Sequence, residues 1–325
     1  IEKNIVAAQT LGELGKIEEA SRFLLAIAGD ENISSFVRND AAKVLAQLGR
    51  VDEAVQCLLA LAVDDKMDSL TRNFAADALG HLGRVDGAVI NVLLRLASNK
   101  KVAIGTRSSA LHALGQLGRA DEETVNELLA LTRDKNIDSI VRYSAAYALG
   151  RLGHVDEASW WLLTLAKDTN VEDNMRRAAA WALGQLRKAD TALLNDLQAL
   201  AEDEKIPVIV RIAAAEALGQ LGWVDEAAQW LLLVAADVNV EASVRRKAAQ
   251  ALGQLGWVAR AASLLLALAE DEEIAASVRS DAANTLGQLG QVDKAANILL
   301  AISRDEKVDA GVRYFSFDAL KNLLS

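Results

Sequence analysis

One phrase recurs along this chain, and its spacing restricts the possible folds more than any other feature. The clearest copy spans residues 244–256: Val244-Arg245, then Ala248-Ala249, then Ala251-Leu252-Gly253-Gln254-Leu255-Gly256, or V-R-x-x-A-A-x-A-L-G-Q-L-G. The first glycine of the phrase falls at Gly12, Gly80, Gly115, Gly150, Gly184, Gly219, Gly253 and Gly287, with Ala46 and Lys321 in the remaining slots. Successive copies lie 34 or 35 residues apart. Such a period belongs to repeat proteins, where each unit buries its apolar face only by stacking on its neighbours. Length alone would suggest about two domains. The period predicts instead a single solenoid over residues 1–325, with a partial repeat at 1–15 and nine helix pairs from 16 to 325.

Each period holds two helical patterns. One begins near D-E-A text, as at Asp52-Glu53-Ala54, and runs through Leu58, Leu59, Leu61 and Ala62. Asp52 is the expected N-cap, at the positive end of the helix dipole. The other begins at V-R and closes on the second glycine of L-G-x-L-G, where a helix favours a left-handed residue. Pro207 falls at the start of a V-R helix, where its missing N–H costs nothing. Three periods have 35 residues, and the extra one lies at or just before the D-E-A helix. Arg187 replaces a capping glycine in one of them, so local irregularity is expected there. Apolar residues make up 52% of the chain and aromatics only 4%, which fits an all-α protein built from alanine and leucine.

The repeated V-R-x-x-A-A-x-A-L-G-x-L-G text resembles HEAT repeats, in particular the short HEAT-like repeats of phycobilin lyases and of artificial libraries derived from them. The resemblance covers essentially the whole chain and implies a right-handed α-solenoid, or superhelix, of helix pairs. Tetratricopeptide repeats share a 34-residue period. Their aromatic slots, however, are filled here by small residues and leucine, and the arginine column has no counterpart in them.

In a solenoid each sequence column becomes a row across the surface. The column Arg38, Arg72, Arg107, Arg142, Arg176, Arg211, Arg245, Arg279 and Arg313 reads as structural, tying to carbonyls or to loop aspartates such as Asp64 and Asp134. The glutamines after L-G (Gln47, Gln116, Gln185, Gln220, Gln254, Gln288) read as a solvated row. The informative columns are those that vary. The residue after Arg, the x of A-A-x-A, and the residue after L-G lie four apart on one helix face. In HEAT solenoids this helix lines the concave surface, so the resemblance makes these positions partner-facing.

Most of these triplets are polar. The central ones carry Tyr143, Tyr147 and Arg151, then Arg177 and Trp181, with His112 one repeat earlier. Tyr, Trp and Arg are the residue types that dominate binding hot spots. These six are the candidate protein-binding patch, for a partner segment with an aromatic or acidic anchor. Trp223 and Trp257 follow capping glycines where other copies have Lys16, Arg50, Arg84, Arg119, His154 and Lys188, and they form a candidate second edge. Trp161 and Trp230 occupy a slot filled elsewhere by Phe23 and Leu264 and are expected in the core, with Trp160 more exposed.

Catalytic signals are sparse. His81, His112 and His154 lie in different repeats, and none sits in H-x-x-x-H or H-E text that would ligate a metal. Iron-binding HEAT hydroxylases resemble this chain but carry His-Glu pairs. Cys57 lies in an otherwise apolar slot, and the glycines close helices where anion binding needs glycines that open them. No metal, cofactor or catalytic residue is therefore expected. The net charge of −10 argues against a general nucleic-acid or anionic-membrane binder. A single cysteine fits a reducing compartment, the cytoplasm. The reading is a non-catalytic protein- or peptide-binding scaffold. A phycobilin-lyase-like subunit and a sensor array cut from a larger signalling ATPase are the alternatives. The apolar closing helix, with Phe315, Phe317, Leu320, Leu323 and Leu324, predicts ends that stack on neighbouring molecules or continue into further sequence.

Overall fold

Alanine pairs and a recurrent leucine force helices to pack at close range, and the computed structural model shows how. It describes residues 2–83, 87–187 and 190–324, with side chains from Ile5 onward. Two compact units divide between Leu165 and Ala166. The first contains α1 (Glu2–Glu13), α2 (Ile17–Gly29), α3 (Ser35–Gln47), α4 (Val51–Val63), α5 (Ser69–His81), α6 (Gly87–Ser98), α7 (Ile104–Gln116), α8 (Glu122–Arg133) and α9 (Ser139–Arg151). The division falls within α10 (Val155–Lys167). The second contains α11 (Asp173–Gln185), α12 (Thr191–Glu202), α13 (Val208–Gln220), α14 (Val224–Ala236), α15 (Ala242–Gln254), α16 (Val258–Glu270), α17 (Ala276–Gln288), α18 (Val292–Arg304) and α19 (Ala310–Leu324). Odd numbers are the V-R helices and even numbers the D-E-A helices.

Each unit is a stack of antiparallel helix pairs. Within a unit, odd helices touch the next odd helix and approach one another more closely than the even ones do, so the odd helices line the inner face. The core repeats with the sequence. In the first unit Leu24, Leu58, Leu93 and Leu128 of the even helices, and Leu45, Leu111 and Leu149 of the odd ones, are fully buried. Leu197, Leu231, Leu265, Leu299, Leu183, Leu252 and Leu286 do the same in the second. Each contributes about 1.5–3 kcal/mol by leaving water. The alanine columns, such as Ala41-Ala42 and Ala248-Ala249, are equally inaccessible, because small side chains are what allow the backbones to approach.

The second glycine of each phrase takes a left-handed conformation, with φ between 63° and 103° from Gly15 to Gly290. It closes a Schellman turn in the 34-residue repeats: the Gly49 N–H donates to Ala46 O at 3.0 Å and the Arg50 N–H to Leu45 O at 2.9 Å. Arg187 adopts φ 53°, the sole positive value among the described non-glycine residues, which is the irregularity the sequence implied. Pro207 is the N-cap of α13 with φ −53°.

One capping expectation needs correction. The turn after Gly49 leads straight into α4, so Arg50 is the N-cap and Asp52 lies in the first turn, where its charge still faces the helix dipole. On the described even helices, an aspartate caps only where a 35-residue repeat supplies the extra residue. Asp121 accepts from the Thr124 N–H at 2.8 Å, and Asp190 from the Leu193 N–H at 2.8 Å. The Thr124 side chain and amide hold the Asp121 carboxyl below the usual carboxylate range.

Most of the column arginines tie to a helix end, while the Nε groups of Arg245 and Arg313 are buried without a hydrogen-bond partner. Arg38 Nε donates to Ala28 O at 2.9 Å, Arg107 to Ala97 O at 2.7 Å and Arg211 to Ala201 O at 2.7 Å, satisfying the otherwise orphaned last-turn carbonyls of the preceding helix. Aspartates join some of them, Asp65 at Arg72 (3.6 Å) and Asp173 at Arg176 (3.0 Å). The loop aspartates serve their own loops. Asp64 accepts from the Lys66 N–H at 2.9 Å, and Asp203 from the Lys205 N–H at 3.0 Å.

Candidate binding surfaces on the odd helices

On the inner face of the first unit, the 35-residue step between α7 and α9 brings their backbones together. A Cβ placed on Gly115 would lie 3.1 Å from the Ala148 Cα. Over this junction His112 of α7 stacks on Tyr147 of α9, centroids 6.2 Å apart and planes within 5°. Tyr147 in turn stacks on Tyr143 at 6.1 Å and 15°. One turn earlier, Ser108 and Ser144 share a hydrogen bond of 2.8 Å across the same helices. His112 and Arg151 are exposed and the two tyrosines half-buried, so the three rings form a ladder fixed along one side and open on the other. Three of the expected residues thus meet in direct contact, and Arg151 continues their face.

Arg177 and Trp181 belong to the second unit. They form one wall of a cleft of about 610 Å³ crossing α11, α13 and α15. Ile209, Ile212, Ala213 and Glu216 of α13 line its middle, and Arg246, Lys247, Gln250 and Gln254 of α15 its far side. The recess follows from the column: where its neighbours carry Arg177 and Arg246, α13 carries Ile212, which is 4% exposed. Arg246 is tied to Gln250 at 3.3 Å and reaches Asp281 at 3.9 Å. Burial pushes the Glu216 carboxyl above its ordinary range, with Arg177 drawing it back in part. Trp181 is 38% exposed. Beyond it, Gln185 Nε2 donates to Gln220 Oε1 at 2.7 Å. The varying columns put Ile212, Glu216 and Arg246 on the partner-facing helix face, but the aromatic residues from Tyr143 to Trp181 drew the site there; Lys247 lies outside those columns. The available signal was the lone apolar entry, Ile212, between two arginines.

The remaining candidates are less open. Trp223 and Trp257 are N-caps of α14 and α16 and half-buried. Of the basic positions expected on that edge, Arg84 and Lys188 lie outside the described residues. Trp161 and Trp230 are half-buried instead of fully in the core. Trp161 meets Trp160 edge-on at 4.3 Å, and Trp230 carries the Arg211 guanidinium 5.0 Å over its ring, so an aliphatic slot has become a covered rim. Trp160 is 59% exposed, as its polar column implied. Burial raises the Cys57 thiol above its ordinary range. Among the described residues, no group of three His, Cys, Asp or Glu could hold a metal ion. No helix among the described residues is long and apolar enough to cross a membrane.

Repeated helix pairs, an arginine column tied to helix ends, and glycines at the close approaches define an all-α solenoid. Residues 65–150, 159–253 and 231–321 match HEAT repeats, and the chain belongs to that family. A search of curated proteins finds no match. Among solved structures it is similar to the E. coli protein YibA, at 21% identity and a TM-score of 0.46, over 84% of this chain and 96% of that one. It is similar to the CpcE–CpcF complex of phycocyanin lyase from Nostoc, at 20% identity and a TM-score of 0.42, over 83% and 94%. It is also similar to human deoxyhypusine hydroxylase, at 22% identity and a TM-score of 0.38, over 97% and 99%.

Proposed function

We propose that this chain is a non-catalytic protein- or peptide-binding scaffold that uses the inner face of its odd helices, in the cytoplasm. The observation that carries the reading is the ladder of His112, Tyr147 and Tyr143, pre-stacked and left open on one side. Rings already fixed by their neighbours lose little freedom when a partner lands on them, and so gain contact area at small entropic cost. Arg151, on the same face, can pair with a carboxylate or stack. Arg177 and Trp181 offer the same residue types in the second unit, and Trp223 and Trp257 form a subsidiary edge there.

A random dodecapeptide library displayed on phage and panned against the full chain tests this directly. Enriched peptides are expected to lose at least roughly tenfold in affinity on Tyr147→Ala or on Trp181→Ala, since truncating an anchor typically costs about 2 kcal/mol. Circular dichroism of both variants should match wild type. If neither substitution changes the binding of any enriched peptide, the rings are packing and the reading fails. Tight binding of an open-chain tetrapyrrole, with a visible absorption band, would favour the lyase-like alternative.

A further inference from the structure

The cleft of the second unit has a composition at odds with the rest of the molecule. The chain carries a net charge of −10, yet Arg177, Arg246 and Lys247 all line this one recess, against a single lining carboxylate, Glu216. Its floor is apolar, formed by Ile209, Ile212 and Ala213, and one wall is the partly exposed indole of Trp181. From these observations the geometry points to a site for a peptide segment that places an aspartate or glutamate beside a bulky apolar residue. This rests on the peptide-binding reading above and gives it a partner chemistry.

The charge arrangement selects this occupant. Arg177 and Arg246 stand on opposite sides of Ile212, in corresponding slots of α11 and α15, so a carboxylate above Ile212 can take N–H donors from both sides. The adjacent apolar side chain then covers Ile212 and lies against Trp181, removing both from water. Glu216, half-buried on the helix between those of Arg177 and Arg246, offers only acceptors when ionised, so it suits a backbone N–H of the same segment and opposes a second anion beside it. That position favours a peptide over a nucleic-acid strand, whose successive phosphates would meet Glu216 and the acidic surface beyond it. A lysine or arginine anchor would meet three cations at the rim before reaching Glu216. Asp281 already draws on Arg246 at 3.9 Å, which leaves Arg177 and Lys247 as the stronger donors to a ligand.

Two junction types meet at this cleft. Between α11 and α13 the backbones are close, with the Ala217 Cα 2.8 Å from a Cβ built on Gly184. Between α13 and α15 the Leu255 side chain stands over Gly219 instead. The recess therefore lies where the stacking loosens, on helices that are otherwise firmly packed.

The test pans the same random dodecapeptide phage library on the full chain and, in parallel, on its Arg177→Gln/Arg246→Gln variant. Enriched sequences are expected to carry Asp or Glu next to an aromatic or large aliphatic residue. Synthetic copies should weaken at least roughly tenfold on the double variant and on Trp181→Ala. They should bind Glu216→Gln equally or more tightly, since the amide keeps an acceptor and loses the opposing charge. Enrichment of basic or uncharged peptides, equal binding to the double variant, or loss of binding on Glu216→Gln would each overturn the assignment. Peptides that ignore the double variant but fail on Tyr147→Ala would sink the cleft and leave the scaffold reading standing. No enrichment at all would sink both.

Discussion

At the scale of single residues, two side chains sit where their chemistry is least comfortable. Arg187 holds φ 53° in a slot that glycine fills in the other repeats, and a left-handed backbone costs an L-residue roughly 1–2 kcal/mol. Arg187→Gly is therefore expected to stabilise the chain by about 1 kcal/mol, seen as a higher urea midpoint with unchanged slope. Glu216 is the second case. Burial raises its carboxyl above the unfolded value of about 4.3, so the folded state binds the proton more tightly than the unfolded state does. The contribution of Glu216 to stability is then fully present below the unfolded value and is lost as pH rises through the raised one. Glu216→Gln should raise the melting temperature near pH 7, and the gain should disappear near pH 4. A variant less stable than wild type at neutral pH would show that the Arg177 attraction outweighs burial. Arg187 was legible in the sequence as the odd member of a column. Glu216 was not, because its burial depends on the long side chains of neighbouring helices.

At the scale of elements, the period decides how one helix pair docks on the next. Where the step is 35 residues, the first glycine faces backbone: a Cβ on Gly80 would come 2.6 Å from the Ala113 Cα, and one on Gly184 2.8 Å from the Ala217 Cα. Where the step is 34, it faces a leucine side chain, as Gly253 faces Leu289 at 2.9 Å. A side chain can turn aside, whereas a helix backbone must shift as a whole. Gly80→Ala should thus cost about 2 kcal/mol, typical of overpacking. Gly253→Ala should come out near neutral, because the gain in helix propensity of about 1 kcal/mol offsets a small side-chain adjustment. Equal losses in thermal denaturation would refute two docking modes. The glycine row and the length of each step were readable from the residues. Which neighbour each glycine meets was not, because that depends on how far one helix slides past the next.

At the scale of the whole molecule, exposed apolar side chains such as Leu14, Leu233 and Val238 are scattered, whereas α19 gathers several aromatic ones on one helix. Tyr314, Phe315 and Phe317 are 67%, 70% and 57% exposed. Phe317 occupies the slot held in the preceding repeats by Ala215, Ala249 and Ala283, each fully buried. An apolar face of this kind favours association, because covering it removes large aromatic surfaces from water. Sedimentation velocity is expected to show concentration-dependent self-association that Phe317→Ser reduces. A strict monomer at high concentration would count against it.

Periodicity determined the helix pairs, their lengths, their capping glycines and the structural duty of the arginine column. Each of these follows from interactions within one repeat or with its immediate neighbour, and the same solution recurs with the same text. That Tyr143 and Tyr147 share a face was also legible, since positions four apart lie on one side of a helix; that His112 of α7 stacks on Tyr147 was not. That Asp52 would not cap while Asp121 and Asp190 would is set by the local turn, since a Schellman turn leaves no room for a cap without the extra residue. Tertiary structure alone decided that Ile212 would sink between Arg177 and Arg246 and open a cleft around Glu216. Depth and charge at that point are properties of three helices together, and no single repeat encodes the spacing between them.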